Sequence, residues 1–220
     1  MSLEALFRQA VDELRRRDVP FAVAGGFAAD LYRGEPRLTM DVDLGILPES
    51  EGEQTAVAVI ESLGLQAGIV RRAELAGGPP FAIRRANTAP CMVVGRPAGE
   101  PSAAGVDILL PSIPWLADAV KRAQANTVDF GFGPVPALTL EDVVIAKLWA
   151  LGATPLRVKD LDDLQSIFAA SHDLDMPYLT GQMGHLGITV PRAAVPFLPD
   201  LVLKVSRDLV RSGRRQAQGR

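Results

Sequence analysis

A chain of 220 residues that is 48% hydrophobic and carries a formal charge of −3 can bury one sizeable core, and it is too acidic overall to bind nucleic acid through net charge alone. The single cysteine, Cys91, excludes an internal disulfide and a multi-cysteine metal site, and with only His172 and His185 as imidazoles any bound metal must draw on oxygen ligands. No apolar run reaches the ~20 residues of a membrane span, and "MSLEALFRQAVDELRRR" reads as an amphipathic helix, not a signal peptide, so the expected setting is soluble and cytoplasmic.

Periodicity predicts a helix over residues 3–17, a short buried strand in "PFAVAG", and a helix from Phe27 to Tyr32 directly after Gly25 and Gly26. "LTMDVDLGIL" reads as the next strand and "EQTAVAVIESLG" as a helix closed by Gly64. Between residues 66 and 100, "FAIRRA" and "CMVVG" read as strands of a meander. "GVDILLP" predicts a strand and "PWLADAVKRAQ" a helix, followed by two more helices in "LTLEDVVIAKLWALG" and "RVKDLDDLQSIFAA". The expected class is α/β (α+β): a core over 1–136 with a mixed sheet flanked by helices, then, beyond "GFGPVPALT", a helical part over 137–220 that completes a cleft. The basic run Lys204, Arg207, Arg211, Arg214, Arg215 and Arg220, set against Asp208 alone, reads first as a solvated helix end and second as a phosphate-contacting tail.

In a strand, Asp41 and Asp43 point to one face while Met40, Val42 and Leu44 point to the other. Two carboxylates this close repel unless a cation lies between them, and oxygen ligands at that spacing suit magnesium, which is commonly shared with substrate phosphates. A solvated edge strand is the plainer alternative. Gly25 and Gly26, between a strand and a helix, offer backbone N–H groups and an unobstructed approach to a phosphate. Asp107, the acid within the apolar run "GVDILLP", is the candidate third carboxylate, since a lone buried acid is costly unless paired or ligated.

The helical segments carry a second group of charges. Lys147 falls within the apolar stripe of Leu140, Val143, Val144, Leu148 and Leu151, so it must meet an anion or snorkel outward. In the next helix Leu161, Leu164 and Phe168 form the expected buried stripe, with Asp160 and Asp163 on another face as dipole partners or as supports for Arg157 and Lys159.

Gly25-Gly26, Arg37-x-Thr39-x-Asp41-x-Asp43, the distant Asp107, Lys147 and Arg157-x-Lys159-Asp160-x-x-Asp163 together resemble the polymerase-beta-like nucleotidyltransferase superfamily. Within it the pattern is most similar to the AbiEii/AbiGii-type nucleotidyltransferases, toxins of type IV toxin-antitoxin and abortive-infection systems. The motifs span roughly residues 20–47, 105–110 and 139–168, and Gly26 stands where the superfamily usually has a serine. The resemblance implies two magnesium ions on Asp41, Asp43 and Asp107, and an NTP donor bound by Gly25, Gly26, Arg37, Thr39, Arg157, Lys159 and Asp160. Lys147 and Lys159 would neutralise the leaving pyrophosphate, and Asp107 would help deprotonate an acceptor hydroxyl. It further implies an RNA acceptor such as a tRNA 3' end, and a cognate antitoxin. Two rival readings share the fold: a small-molecule nucleotidyltransferase of the aminoglycoside-modifying kind, its cationic acceptor held by Asp160, Asp163 and Glu141, and a non-catalytic nucleotide-binding module. A nucleotide-sugar glycosyltransferase is a weaker option, since that class does not require the Gly-Gly helix start.

Overall fold

The computed structural model describes residues 2–71, 89–153, 157–170 and 173–218, with side chains as far as Ser212. Helix α1 (Leu3–Arg16) is capped by the Ser2 hydroxyl, which accepts from the Ala5 amide, and buries Leu6, Phe7, Ala10, Val11 and Leu14. Those positions recur every three or four residues, the spacing of a single helix face. Strand β1 (Phe21–Val23) leads into the short helix α2 (Gly25–Asp30), followed by β2 (Asp41–Ile46), helix α3 (Gly52–Ser62), and strands β3 (Gln66–Arg71), β4 (Pro90–Arg96) and β5 (Gly105–Leu109). Helix α4 (Leu116–Ala123) and a small hairpin of β6 (Thr127–Asp129) and β7 (Pro134–Pro136) complete the first part. Helices α5 (Leu140–Ala153), α6 (Val158–Ala169), α7 (Met176–Leu186), a 3₁₀ segment (Arg192–Phe197) and α8 (Asp200–Gln218) make up the rest.

The main sheet has the order β1-β2-β5-β4-β3. Its central pair, β2 and β5, is parallel, and every other pairing is antiparallel. Val42, Leu44, Val106 and Ile108 are fully buried, and α1 and α3 pack against β2, β5 and β4. The sheet is therefore mixed and flanked by helices, as expected. Its polar positions alternate out of phase with this core: Asp41 and Asp43 are partly buried where Val42 and Leu44 are sealed.

Helix α5 is seated by the chain just before it. Ala137 bridges to Val23, and the Leu138 amide donates to the Val23 carbonyl at 3.0 Å. That contact carries α5 from the edge of β1 across the carboxylate side of the sheet. The hairpin, which the sequence reading passes over, is pinned by apolar contact: the rings of Phe130 and Phe132 each lie 5.1 Å from that of Phe7.

Several boundaries differ from the sequence reading. Helix α2 begins at Gly25 itself, and Met40 is outside the strand and half exposed rather than turned into the core. Strand β3 forms where no strand was expected, and "FAIRRA" lies outside the described residues. Among the described residues no helix is long and apolar enough to cross a membrane.

Candidate active site

The parallel register sets Asp43 directly beside Asp107, with Asp41 beside Gly105. Paired residues of neighbouring strands share a face. Three carboxylates are thus gathered from two strands onto one surface, although 64 residues of chain separate Asp43 from Asp107. Asp43 carries the clearest electrostatic cost. Burial first, and then the charges of Asp107 and Asp41, push its pKa up to about 6, against relief from Lys147 and from the Gly26 amide, which donates to it. Burial likewise raises Asp107, with Arg96 opposing.

Gly25 has a positive φ of 58°, and a Cβ built on it would lie 1.8 Å from Asp43 Oδ2. The backbone therefore runs against the carboxylate at a distance that only glycine permits. A Cβ on Gly26 would lie 2.6 Å from Thr39 Oγ1, so the Thr39 hydroxyl fills the space that a side chain at position 26 would need. That hydroxyl is buried and has no hydrogen-bond partner among the described residues. The expected cradle of two glycine amides is thus altered. Gly26 gives its N–H to Asp43, and the unsatisfied polar atom beside it belongs to Thr39.

Arg96, at the end of β4, is a site residue that the sequence reading does not find. Its guanidinium donates to Asp107 at 2.5 and 3.3 Å and lies 3.4 Å from Asp41 Oδ1. Gly105 makes room for it: a Cβ there would sit 2.6 Å from Arg96 Nη1 and 2.1 Å from the Gly95 carbonyl oxygen. Only the strand order, which puts β4 next to β5, reveals this contact; in sequence Arg96 belongs to an unremarkable "VVGRPAGEP" stretch.

Among the described residues no three acidic, His or Cys side chains converge tightly enough to hold an ion as they stand. The donor set nonetheless fits a hard divalent cation. It consists of carboxylate oxygens on one face, and the charge they concentrate already burdens Asp43. Asp41 and Asp43 would hold such an ion, with Asp107 exchanging Arg96 for it.

Lys147 is buried on α5, as its place in an apolar stripe predicts, and its anions come from the protein. Nζ lies 2.9 Å from Asp160 and 2.7 Å from Asp163. Asp163 is fully buried and also receives Arg33 at 2.6 Å and Arg37 at 2.8 Å. Burial would raise this acid, but the hydrogen bonds and charges of Arg37 and Lys147 hold it below the ordinary carboxylate range. Arg157 reaches Asp160 at 2.8 Å, while Arg33 also meets Asp162 and Asp30. Four bases (Arg33, Arg37, Lys147, Arg157) thus balance four acids (Asp30, Asp160, Asp162, Asp163). The cluster ties the chain between α2 and β2 to α5 and α6.

This corrects the expected face of α6. Asp160 and Asp163 point inward with Leu164 and Ile167, and Leu161 and Phe168 are only partly buried. Lys159, assigned to the donor, stays exposed, and Arg37 is engaged by Asp163. Lys147, Arg157 and Asp160 still face the site, for together with Gly25, Asp43 and Asp107 they line a cavity of about 220 Å³ between the sheet and α5. Its far end is apolar and includes Met92, Ile113, Trp115 and Trp149. The basic tail falls on α8, which packs on α7; Arg211 lies 3.9 Å from Asp208, and the side chains of Arg214 and Arg215 are outside the described residues.

Comparison with known proteins places this site. No curated protein matches the chain. Among solved structures, the antibiotic-resistance factor ANT(2'')-Ia is similar at 15% identity and a TM-score of 0.46, with 98% of this chain and 94% of that one covered. An antigenic nucleotidyltransferase-like protein from Paracoccidioides brasiliensis is similar at 16% identity and a TM-score of 0.45, covering 83% of this chain and 85% of that one. These likenesses are too distant to carry any activity across. The model of the family described as "Nucleotidyl transferase AbiEii toxin, Type IV TA system" matches residues 12–186, a span that holds every carboxylate, glycine and cation of the site. The chain therefore belongs to the AbiEii nucleotidyl transferase family and is a nucleotidyltransferase.

Proposed function

We propose that this nucleotidyltransferase moves a nucleoside monophosphate from an NTP onto a hydroxyl of RNA, such as a tRNA 3' end, acting as the toxin of a pair whose antitoxin restrains it in the cytoplasm. The observation that carries the donor half is the abutment of Gly25 on Asp43, with Asp107 in register beside it. Residues 1–136 would supply the carboxylates and 137–220 the opposite wall. In the reaction the acceptor oxygen bonds to the α-phosphorus as the bond to the β-phosphate oxygen breaks, and pyrophosphate leaves.

Magnesium bound at Asp41 and Asp43, with Asp107 as a further ligand, would polarise the phosphates and neutralise charge as it develops. Asp107 is placed to take the acceptor proton, its affinity for protons raised by burial. Arg96 holds that carboxylate in orientation until the substrates assemble. Lys147 supplies a fixed positive charge that Asp43 already feels. Thr39 presents its unsatisfied hydroxyl where the superfamily's serine is missing, and this supports a phosphate contact from Thr39 rather than from position 26.

The acids that would have held a cationic small-molecule acceptor are otherwise engaged. Asp160 and Asp163 face Lys147, Arg157, Arg33 and Arg37, and Glu141 meets Arg122 at 3.3 Å while accepting from the Asp175 amide. RNA is therefore favoured over an aminoglycoside. The test is incubation with each labelled NTP, magnesium and either total RNA or an aminoglycoside panel. Label should pass to RNA in a magnesium-dependent way; label found only on the small molecules would overturn the acceptor assignment.

A further inference from the structure

The cavity has two chemically different ends. Gly25, Asp43, Asp107 and Lys147 form the charged end, and Met92, Ile113, Trp115 and Trp149 form part of the apolar one. Nothing in the phosphate or carboxylate chemistry calls for an apolar end. Its volume of about 220 Å³ is the share of roughly seven liquid waters, at ~30 Å³ each. That is the scale of one ring system and far too small for a folded macromolecule.

Trp115 supplies the second observation. The residue is 93% buried, and its indole Nε1 has no hydrogen-bond partner among the described residues. A buried N–H left unsatisfied is costly, and such groups in native proteins call for an explanation. Here the ring of that indole lines an apolar cavity whose opposite end is the phosphate-binding chemistry. Tryptophan differs from phenylalanine by this donor, and a purely structural wall would not need it.

We infer that the apolar end receives the base of the donor nucleotide, with Trp115 Nε1 donating to an acceptor atom on the edge of the ring. This rests on the donor reading above and extends it to the choice among NTPs. Trp115 is then a specificity-determining residue: bases that present a ring nitrogen or carbonyl oxygen at that point are preferred, and those that present an amino group are disfavoured, since two donors would face each other. Trp149 contributes ring surface from α5. The base of an RNA acceptor is the other source of the same chemistry, and binding in the absence of RNA separates the two.

The chain contains only two tryptophans, and both line this cavity, so intrinsic fluorescence reports on it alone. The experiment titrates the full-length protein, with magnesium and without RNA, against ATP, GTP, CTP, UTP and inorganic tripolyphosphate. Expected are a fluorescence change with nucleotides, at least one NTP binding about tenfold tighter than tripolyphosphate, and a clear ranking among the four. In Trp115→Phe, which keeps the ring and removes the donor, the preferred NTP should lose about three- to tenfold in affinity, the worth of one neutral hydrogen bond. Its ranking should flatten while tripolyphosphate binding stays the same.

Equal affinity of wild-type protein for all four NTPs and tripolyphosphate would overturn the base assignment while leaving the donor reading intact. Absence of binding by NTPs and tripolyphosphate alike would sink both. If Trp115→Phe does not fold, the wild-type comparison still decides, because only a base subsite makes nucleotides outbind tripolyphosphate. A fluorescence change that appears only when RNA is added would assign the cavity to the acceptor and refute the inference.

Discussion

Asp163→Asn is the sharpest test of how the site is held together. The side chain is fully buried, and Arg33, Arg37 and Lys147 all converge on it within 2.8 Å. Asparagine keeps the shape and one acceptor oxygen but removes the charge that those cations neutralise. Breaking a buried ion pair by removing one partner typically costs about 3–5 kcal/mol, because the remaining charge is stranded. Two of the three cations have second partners here: Lys147 has Asp160 at 2.9 Å, and Arg33 has Asp162 at 2.9 Å. The lower end, about 3 kcal/mol, is therefore expected. Urea denaturation would measure it as a lower midpoint at unchanged slope. Asp162→Asn is the control: that acid is 56% exposed and also meets Arg33, so its loss should cost less than about 1 kcal/mol. The pH dependence has a definite sign. The folded Asp163 sits below the ordinary value of 3.8, so its contribution is complete above that pH and disappears as acid protonates the folded carboxylate. The gap between wild type and variant should be constant near neutrality and close below about pH 4. A variant within 0.5 kcal/mol of wild type, by the ~1 kcal/mol scale of surface substitutions, or a gap that widens on acidification, would refute this account of the cluster.

Asp43 behaves in the opposite sense. Its pKa is raised from 3.8 to about 6, so ionising it in the fold becomes costly between those values, and Asp43→Asn should be more stable than wild type at pH 7.5 by up to about 3 kcal/mol yet no more stable at pH 3.5. The same variant should lose any magnesium-induced rise in Tm, which differential scanning fluorimetry reads directly. Gly25→Ala places a methyl group 1.8 Å from Asp43 Oδ2 at a positive φ, so turnover should fall by at least a hundredfold in a labelled-NTP assay, with a loss of stability of about 1–2 kcal/mol from backbone strain alone. Thr39→Val preserves shape and removes the unpartnered hydroxyl; stability should hold or rise slightly while NTP affinity drops several-fold by calorimetry, and unchanged affinity would remove Thr39 from the donor site.

Local pattern was enough for the elements and for the chemistry of the first carboxylate pair. Alternation along "MDVDLGI" separates Val42 and Leu44 from Asp41 and Asp43 because strand geometry forces successive side chains apart, whatever the rest of the chain does. The helical stripe around Lys147 likewise predicts a buried lysine that needs an anion. Which anion it meets is a different kind of question. Asp160 and Asp163 answer it because the packing of α5 on α6 turns the acids of α6 inward, a rotation that propensity and the placing of acids in a first turn do not encode. Arg96 is the plainest case. Nothing within its own stretch marks it, and it reaches Asp107 and Asp41 only because the sheet places β4 beside β5 and β5 parallel to β2. Strand order is fixed by which apolar faces can be buried together over the whole chain. The sequence by itself therefore determined which residues carry charge on which face, and the tertiary structure alone decided which opposite charges meet.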